Sequence, residues 1–332
     1  MSILSVGDLA QSYTLRHGAA AMKAEISRLS NALTTGVADD TGAHLAGDFG
    51  PLAGIDSSLA RLTGYRSVTA EAGLVTETMQ AALGRMTGMA ADLGQALLAG
   101  ASPDTPSRVS ALGAEAVQTF EAAVSALNTR VGDRSLFGGV ATTLAPLPTG
   151  SALLDTLHAL TEGARSVDDV ETALDEWFAS DSGYGAAYRG GAALAAVAIA
   201  PGETARIDVT AADPAIRDIL KGLAMAALLD RGVLAGDPDG RADVVRRAGE
   251  VVQSTQAGLG VLTARLGTTQ ARIDQAAQRN TAETSALQIA RSESLSVDGY
   301  EVASRLQQTQ TQLETLYALT SRMSRLTLVN FL

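Results

Sequence analysis

Five carboxylates lie close together between residues 168 and 176, and closely spaced carboxylates are the groups that general acid–base catalysis uses. They are Asp168, Asp169, Glu171, Asp175 and Glu176. Ser166 precedes Asp169 by three residues, which is the spacing of a helix capping box. Acidic side chains are also favoured near a helix N-terminus, because the helix dipole is positive there. We therefore interpret this group as a solvated helix face rather than as a catalytic pair.

Histidine and a possible cation loop are the next candidates for chemistry. The three histidines, His17, His44 and His158, have no partners at the spacing that a metal site needs. The segment GDPDG at 236–240 lacks the alternating oxygen ligands and the final Glu of a calcium loop, and its composition predicts a turn. We expect neither a metal site nor a bound cofactor.

Motifs for nucleotide binding and nucleophilic catalysis are missing from the sequence. The segment GLGVLTARLG at 258–267 has neither the lysine of a phosphate-binding loop nor the glycine spacing of a dinucleotide fold. There is no G-x-S-x-G or S-x-x-K motif. The chain contains no cysteine, which excludes a disulfide, a thiol nucleophile and a cysteine-bound metal. We predict that the protein is not an enzyme.

The strongest pattern in the sequence is apolar and lies near both ends of the chain. Apolar residues recur in steps of four and three in a first set, which comprises Leu15, Ala19, Met22, Ile26, Leu29 and Leu33. A second set near the C-terminus comprises Val302, Leu306, Leu313, Leu316 and Met323, widened by Leu319, Leu326, Val329 and Leu332. A mean step of 3.5 residues is typical of a coiled-coil seam.

Such seams need partners, because burying one Leu or Met side chain stabilises by about 1.5–3 kcal/mol and an isolated helix cannot obtain this. The simplest arrangement pairs the N-terminal helix with the C-terminal helix in antiparallel fashion. The seams are then either the core of an ordinary helical bundle or a surface for subunit assembly. Their position at the chain ends favours assembly, and we predict that both sets, apart from Ala19, carry it.

The region between the seams is helical with a small β segment. Apolar stripes predict helices over about 52–98, 106–131 and 241–290, and shorter helices over 152–179 and 214–229. The segments LAAVAIA and ARIDVTA are β-prone and flank the turn signal PGET, which predicts a hairpin. The fold class is therefore mainly α, an elongated antiparallel helical rod formed from both chain ends with a small inserted α/β module.

Composition limits the classes of partner. The net charge is −11 and Lys23 and Lys221 are the only lysines, which argues against phosphate-based nucleic-acid binding. Aromatic residues make up only 4%, which suits close helix packing better than a β-sandwich. The sequence shows neither an ordinary signal peptide nor an apolar run long enough to cross a membrane. We expect no membrane insertion.

Several motifs resemble the flagellin family, and in particular its hook–filament junction members. The C-terminal segment 298–332 is similar to the end of these proteins, with matches at Asp298, Ala303, Leu306, Gln310, Leu313, Leu316, Leu326, Leu328 and Leu332. The segment NTRVGDRSLFGG at 128–139 resembles a junction-member turn, although Ser135 replaces the usual aromatic residue. The segment 187–229 resembles the middle of short junction members, and the seam over 15–33 agrees.

The resemblance implies a structural function outside the cell. Family members of this kind form a ring of subunits that joins the hook, through the first hook-associated protein, to the flagellin filament. The resemblance further implies export through the flagellar type III route without a cleaved signal peptide. It also implies self-assembly and an export chaperone that shields the C-terminal helix. The expected location is the hook–filament junction of the bacterial flagellum.

The resemblance suggests a division into three parts: an assembly domain (1–40 and 290–332), a helical rod domain (45–140 and 212–289) and an inserted α/β module (141–211). Two other functions stay open at this stage. The chain could be filament flagellin itself, or a cytoplasmic helical sensor or signalling module, and an enzyme is a weaker third alternative. Detection of the protein in the exported fraction distinguishes the flagellar functions from a cytoplasmic one.

Overall fold

The computed structural model describes residues 6–101 and 105–329. Most of them are helical, and the prediction of a mainly α fold is confirmed. The elements are α1 (Val6–Thr35), α2 (Thr41–His44), α3 (Gly50–Gly100), α4 (Pro106–Leu127), β1 (Arg130–Val131), β2 (Arg134–Ser135), α5 (Gly150–Thr161), α6 (Val167–Ala179), β3 (Val197–Ala200), β4 (Glu203–Ala205), α7 (Pro214–Ala227), α8 (Pro238–Leu295) and α9 (Gly299–Val329).

The described residues form two compact units. Of these residues, unit 1 contains 6–63 and 281–329, and unit 2 contains 64–101 and 105–280. Unit 1 contains the packed pair α1 and α9, so the predicted antiparallel pairing of the terminal helices is confirmed. The predicted division into three domains stays a prediction.

Unit 2 holds the large core. The predicted stripes of α3 and α4 face inward, and Met79, Leu83, Met86, Phe120 and Val124 are almost fully buried. The second half of helix α7 is buried on all sides, which fits the apolar run LAMAALL that starts there at residue 223. An apolar helix that is covered all round forms the centre of a helical domain. Helix α4 ends at Leu127 rather than near residue 131, because the chain turns there into the hairpin β1–β2.

The predicted β-hairpin is present but shorter than the sequence indicates. Strands β3 and β4 pair antiparallel around Gly202, whose φ of +73° favours glycine. The second strand was expected over 205–211, and it ends at Ala205. The reason is tertiary: Val209 and Ala211 are buried in the main core, and the Ala211 N–H donates a 2.9 Å hydrogen bond to the Phe137 carbonyl oxygen.

The acidic group around residue 170 caps and braces α6. Ser166 and Asp169 form the predicted capping box. The Arg247 guanidinium donates a 2.8 Å hydrogen bond to Glu171, and the Lys221 ammonium contacts Asp175. These carboxylates therefore serve helix capping and ion pairing, as the helix-face interpretation expects. The segment at 236–240 is also a capped turn, because the Asp237 carboxylate accepts a 3.0 Å hydrogen bond from the Gly240 N–H.

The motif at 128–139 is a structural turn. The Asn128 side chain donates a 3.1 Å hydrogen bond to the Leu147 carbonyl oxygen and accepts one of 3.1 Å from the Leu147 N–H. Phe137 is fully buried, and Gly132 and Gly139 both have a φ of +57°. A left-handed backbone at two positions explains why glycine stands there.

Candidate assembly surface on the terminal helices

Helices α1 and α9 run antiparallel, and contacts along the pair fix their register. A Cβ at Gly18 would lie 3.6 Å from Leu316 Cδ1. Farther along, Leu29 and Ala32 form a cluster with Val302. At the end of the pair, the Val297 N–H donates a 3.1 Å hydrogen bond to the Gly36 carbonyl oxygen. Residues that are far apart in the sequence thus meet at a constant register over this part of the pair.

The seam of α9 follows the predicted period. Between residues 299 and 323 the residues that are not exposed are Val302, Leu306, Thr309, Leu313, Leu316 and Met323. Their spacing alternates between four and three until the gap at residue 320, which is exposed. A stripe this narrow is what a two-helix contact covers. The other side chains of α9 in this range are exposed to solvent.

The core of the pair is thin. Among the predicted seam residues whose burial the structure describes, Leu29 and Val302 alone are buried, and Ala32 completes their cluster. Half-buried side chains make up most of the rest, namely Leu15, Met22, Ile26, Leu306, Leu313, Leu316 and Met323. Leu33 and Leu319 are 42% and 51% exposed. The pair therefore leaves much of its apolar surface in contact with water.

Three of the predicted assembly residues cannot be placed further. The side chains of Leu326 and Val329 and the whole of Leu332 lie outside the described residues. The role of the complete set in assembly stays a prediction.

Exposed aromatic side chains extend this surface, and the sequence patterns did not single them out. Tyr13 is 71% exposed and stacks on His17 at a centroid distance of 6.2 Å. The Lys23 ammonium lies 5.7 Å from the centre of the Tyr317 ring, a cation–π contact between α1 and α9. Tyr300 is 87% exposed. Aromatic residues make up only 4% of the chain. Tyrosines next to the seam of a terminal helix could therefore have been recognised in the sequence as candidates for the assembly surface.

Charged groups brace the buried end of the pair. The Arg28 guanidinium donates hydrogen bonds of 2.9 and 2.7 Å to the Glu25 carboxylate and lies 3.7 Å from Asp40. The hydrogen bonds from Arg28 lower the pKa of Glu25, and the positive charge of Arg305 on α9 acts in the same direction. A shallow pocket of about 320 Å³ lies beside these residues, and Arg28, Asp40, His44 and Arg305 contribute to its lining.

Two searches of the described residues bear on the chemistry of the chain. Within the described part of the chain no three histidine or acidic side chains cluster as a metal site would require. In that same part, no helix is both long and apolar enough to cross a membrane. What the terminal helices offer is apolar and aromatic surface, with ion pairs at one end.

A known protein family matches the part of the sequence that contains α9. Residues 249–332 match the model of the bacterial flagellin C-terminal helical region. The chain carries a flagellin-type C-terminal region. The resemblance to the flagellin family is thereby confirmed over a segment that includes α9 and the C-terminal half of the seam. No curated protein matches the chain by sequence.

Two solved structures have a fold similar to that of this chain. One is a protein from Vibrio parahaemolyticus described as a flagellar hook-associated protein, with a TM-score of 0.53 and 15% identity, covering 73% of this chain and 95% of its own. Another is Bacillus cereus FlgL, with a TM-score of 0.51 and 15% identity, covering 70% of this chain and 96% of its own. At this identity the likeness establishes a common fold.

Proposed function

We propose that the protein is a structural subunit of the bacterial flagellum, of the type called hook-associated protein 3, which joins hook and filament. One observation carries the proposal: a flagellin-type C-terminal region ends in α9, and α9 pairs with α1 through a seam that is only partly covered. The fold shared with a hook-associated protein and with FlgL supports the same assignment.

The two units differ in how much apolar surface each of them buries. Removing apolar surface from water contributes roughly 25 cal/mol per Å². Unit 2 obtains this stabilisation from its large core, whereas the terminal pair has a cluster of only three buried residues. Neighbouring subunits that cover Leu33, Leu319 and the half-buried seam would supply the missing burial. The terminal helices thus gain stability on assembly, which is what a subunit of a polymer needs.

The proposed partners follow from the resemblance to hook-associated proteins, and the uncovered seam is the surface that we assign to them. Copies of the chain form a ring, with flagellin on one side and the first hook-associated protein on the other. An export chaperone covers the C-terminal helix before assembly, since exposed apolar surface invites aggregation. The proposed location is the hook–filament junction outside the cell, reached without a cleaved signal peptide.

A deletion strain tests the position in the flagellum. Without the junction protein, cells are expected to keep hooks, lack filaments and release flagellin into the medium. Complementation with the full chain restores filaments. A strain that keeps normal filaments after deletion contradicts the proposal.

Filament flagellin is the second candidate, because the family model that matches residues 249–332 describes flagellin itself. The same deletion separates the two. Loss of filament flagellin leaves hooks but releases no flagellin. Immunogold labelling at the hook tip supports the junction, whereas labelling along the whole filament supports flagellin.

Truncation tests the surface directly. Removing residues 316–332 deletes Leu316, Leu319 and Met323 with the rest of the seam, and we expect incorporation onto hooks to stop. Trp177, the single tryptophan, packs on Phe178 in unit 2 at a centroid distance of 4.9 Å and reports on folding there. Its fluorescence is expected to stay unchanged. A truncated chain that still assembles overturns the role given to the seam.

A further inference from the structure

One loop of unit 2 is fixed at both of its ends to a single turn. The loop comprises residues 193–208, which include the β3–β4 hairpin, and we call it the strap. At its first end, two backbone hydrogen bonds of 2.9 Å join residues 191–192 to residues 138–140. Just beyond its second end, a third bond of 2.9 Å joins the Ala211 N–H to the Phe137 carbonyl oxygen. The two ends of the strap therefore lie close together.

Gly139 lets the first end of the strap approach this turn closely. Its φ is +57°, and a Cβ at this position would lie 2.2 Å from the Ala192 carbonyl oxygen and 2.6 Å from that of Gly191. Any other residue would push the strap away from the turn. A loop whose ends meet has the geometry of an Ω-loop, and such a loop can move away from the fold without displacing the elements that flank it.

The side chains beneath the strap form a small cluster of their own. Its buried members are Ile199, Ala200 and Ala205 of the strap, Ile273 and Ala276 of α8, and Ala72 of α3. Four of these six residues are alanines, whose burial removes little apolar surface from water. The large core of unit 2 is a separate cluster, and the partly buried Ile207 packs against both. Opening of the strap therefore leaves the large core intact.

Three arginines fasten the strap to α8. They stand seven residues apart and so lie on one side of the helix, at Arg265, Arg272 and Arg279. The Arg279 guanidinium lies 2.6 Å from the Glu203 carboxylate. The Arg272 guanidinium donates a 3.1 Å hydrogen bond to the Thr204 carbonyl oxygen. The Arg265 guanidinium lies 3.5 Å from the Asp208 carboxylate. The strap thus runs along a row of positive charges.

These ion pairs are weak and depend on salt. The side chains of Arg279 and Glu203 are 53% and 45% exposed, and those of Arg265 and Asp208 are 48% and 40% exposed. An exposed ion pair shifts an equilibrium by about fivefold at most, and salt screens it. The hydrogen bond from the Asn280 amide to the strap is buried, so salt affects it much less. The arginine contacts are therefore the part of the attachment that ionic strength can change.

We propose that the strap opens as one unit about the turn at 137–140, and that ionic strength controls how often it opens. In the closed state the arginine contacts and the small cluster hold it on α3 and α8. In the open state the large core of unit 2 stays folded, while Ile273, Ala276 and Ala72 are exposed to solvent. The strap is an electrostatically held cover over an apolar site on the two long helices. This device does not depend on the function proposed for the terminal helices.

Thiol labelling of the full chain measures the opening, because the chain has no cysteine of its own. Ala276→Cys places a thiol beneath the strap, at a position that is 0% exposed. Ala248→Cys is the matched control, since Ala248 lies on the same helix and is 0% exposed in the large core. We expect the thiol at position 276 to react at least about 100-fold faster than the thiol at position 248, because local opening is more frequent than global unfolding.

Salt should separate the two positions further. When the NaCl concentration rises from about 20 mM to about 500 mM, the labelling rate at position 276 is expected to increase about three- to tenfold, since the arginine contacts are screened. The rate at position 248 should change by less than about twofold, because apolar packing rather than ion pairing protects it.

Charge reversal identifies the contact that holds the strap. In the Ala276→Cys chain, Arg279→Glu removes the ion pair and places two negative charges side by side, so labelling at low salt should become about fivefold faster. Adding Glu203→Arg restores an ion pair of opposite polarity and should return the rate to within about twofold of its starting value. Arg246→Glu changes the charge of α8 equally and should leave the rate unchanged, because Arg246 hydrogen-bonds to Glu250 of its own helix.

Hydrogen exchange tests the chain without any substitution. Amides of β3 and β4 should exchange faster than those of α7, and their exchange should accelerate with salt while that of α7 does not. Ala205→Cys, at a position of the strap that is 1% exposed, replaces Ala276→Cys if that variant does not fold. Equal labelling at positions 276 and 248, or a labelling rate at position 276 that salt or Arg279→Glu leaves unchanged, overturns the proposal.

Discussion

The Asn280 side chain donates a 2.8 Å hydrogen bond to the carbonyl oxygen of Ile199, and this bond fastens the β3–β4 hairpin to helix α8. Asn280 is only 2% exposed, and Ile199 is fully buried in a small cluster with Ile273 and Ala276. A buried amide and a buried carbonyl that satisfy each other thus add a directional contact to the apolar packing of the hairpin on α8.

Replacing Asn280 is expected to loosen the hairpin. Asn280→Ala leaves the Ile199 carbonyl oxygen without this donor and lowers the free energy of unfolding by about 1–3 kcal/mol. Hydrogen exchange should rise first in β3 and β4. The matched control is Arg272→Ala on the same helix, which removes an exposed 3.1 Å hydrogen bond to the Thr204 carbonyl oxygen. It should change stability by less than about 0.5 kcal/mol, and equal effects of the two variants contradict the assigned role.

The thin seam of the terminal pair predicts different effects at two neighbouring positions on α1. Leu29→Ala removes a side chain that is 6% exposed from the cluster with Val302, and should destabilise the pair by about 2 kcal/mol. Leu33→Ala, at a position that is 42% exposed, should cost less than about 0.5 kcal/mol in the free chain. Hydrogen exchange in α1 and α9 measures both.

The effect of Leu33→Ala on assembly is expected to be larger than its effect on the stability of the free chain. Leu33→Ala should reduce incorporation onto hooks although the free chain stays stable, because this side chain is proposed to pack on a neighbouring subunit. If Leu33→Ala assembles as well as the wild type, Leu33 does not belong to the assembly surface.

Tyr184 predicts a loss of stability at alkaline pH. Its hydroxyl donates a 2.7 Å hydrogen bond to the Ala211 carbonyl oxygen, and burial raises its pKa above the ordinary value of 10.0. Because the pKa is higher in the folded chain than in the unfolded chain, the neutral Tyr184 hydroxyl stabilises the fold fully below pH 10. This stabilisation is lost as the pH rises further. Tyr184→Phe should cost about 1 kcal/mol at pH 7. Denaturant titrations between about pH 8 and pH 11 should give a flatter profile for the variant than for the wild type.

Asp169 predicts the opposite trend at acidic pH. Hydrogen bonds from the Arg165 and Ser166 backbone and the Ser166 side chain lower its pKa below the ordinary 3.8. The carboxylate therefore stabilises the fold above that value, and this contribution is lost as the pH falls. Asp169→Asn should be less stable at pH 7 and less sensitive to acid. Asp168→Asn changes the net charge equally and serves as the control, because the capping-box hydrogen bonds belong to Asp169.

Local patterns predicted the helices well because each helix buries one continuous stripe. Met79, Leu83, Met86, Leu93 and Leu97 recur at helical spacing, and all of them are buried. The capping box at Ser166 and Asp169 and the proline at the start of α7 also lie where the sequence places them. These features depend on residues within a few positions of each other, so a single sequence contains them in full.

Features that depend on distant partners escaped prediction. The segment 205–211 has the alternation of a strand, but Ala211 bonds to Phe137 and leaves the hairpin. The glycines of α3 weaken its apolar pattern in the sequence, and only the fold decides that the side of α3 with Gly84 and Gly88 is exposed. The exposed Tyr13 and Tyr317 carried no periodic signal, because they lie beside the seam rather than in it.

By itself the sequence determined that the chain ends form helices with one apolar stripe each, since the 3.5-residue period is a property of neighbouring residues. It also determined the resemblance to flagellin that the match over residues 249–332 confirms. Only the tertiary structure decided how deeply each stripe is covered. Leu29 is buried because Val302, hundreds of residues later, packs against it, and Leu33 is exposed because the pair α1–α9 leaves it uncovered. Burial depends on every neighbour in space, and those neighbours are set by the fold.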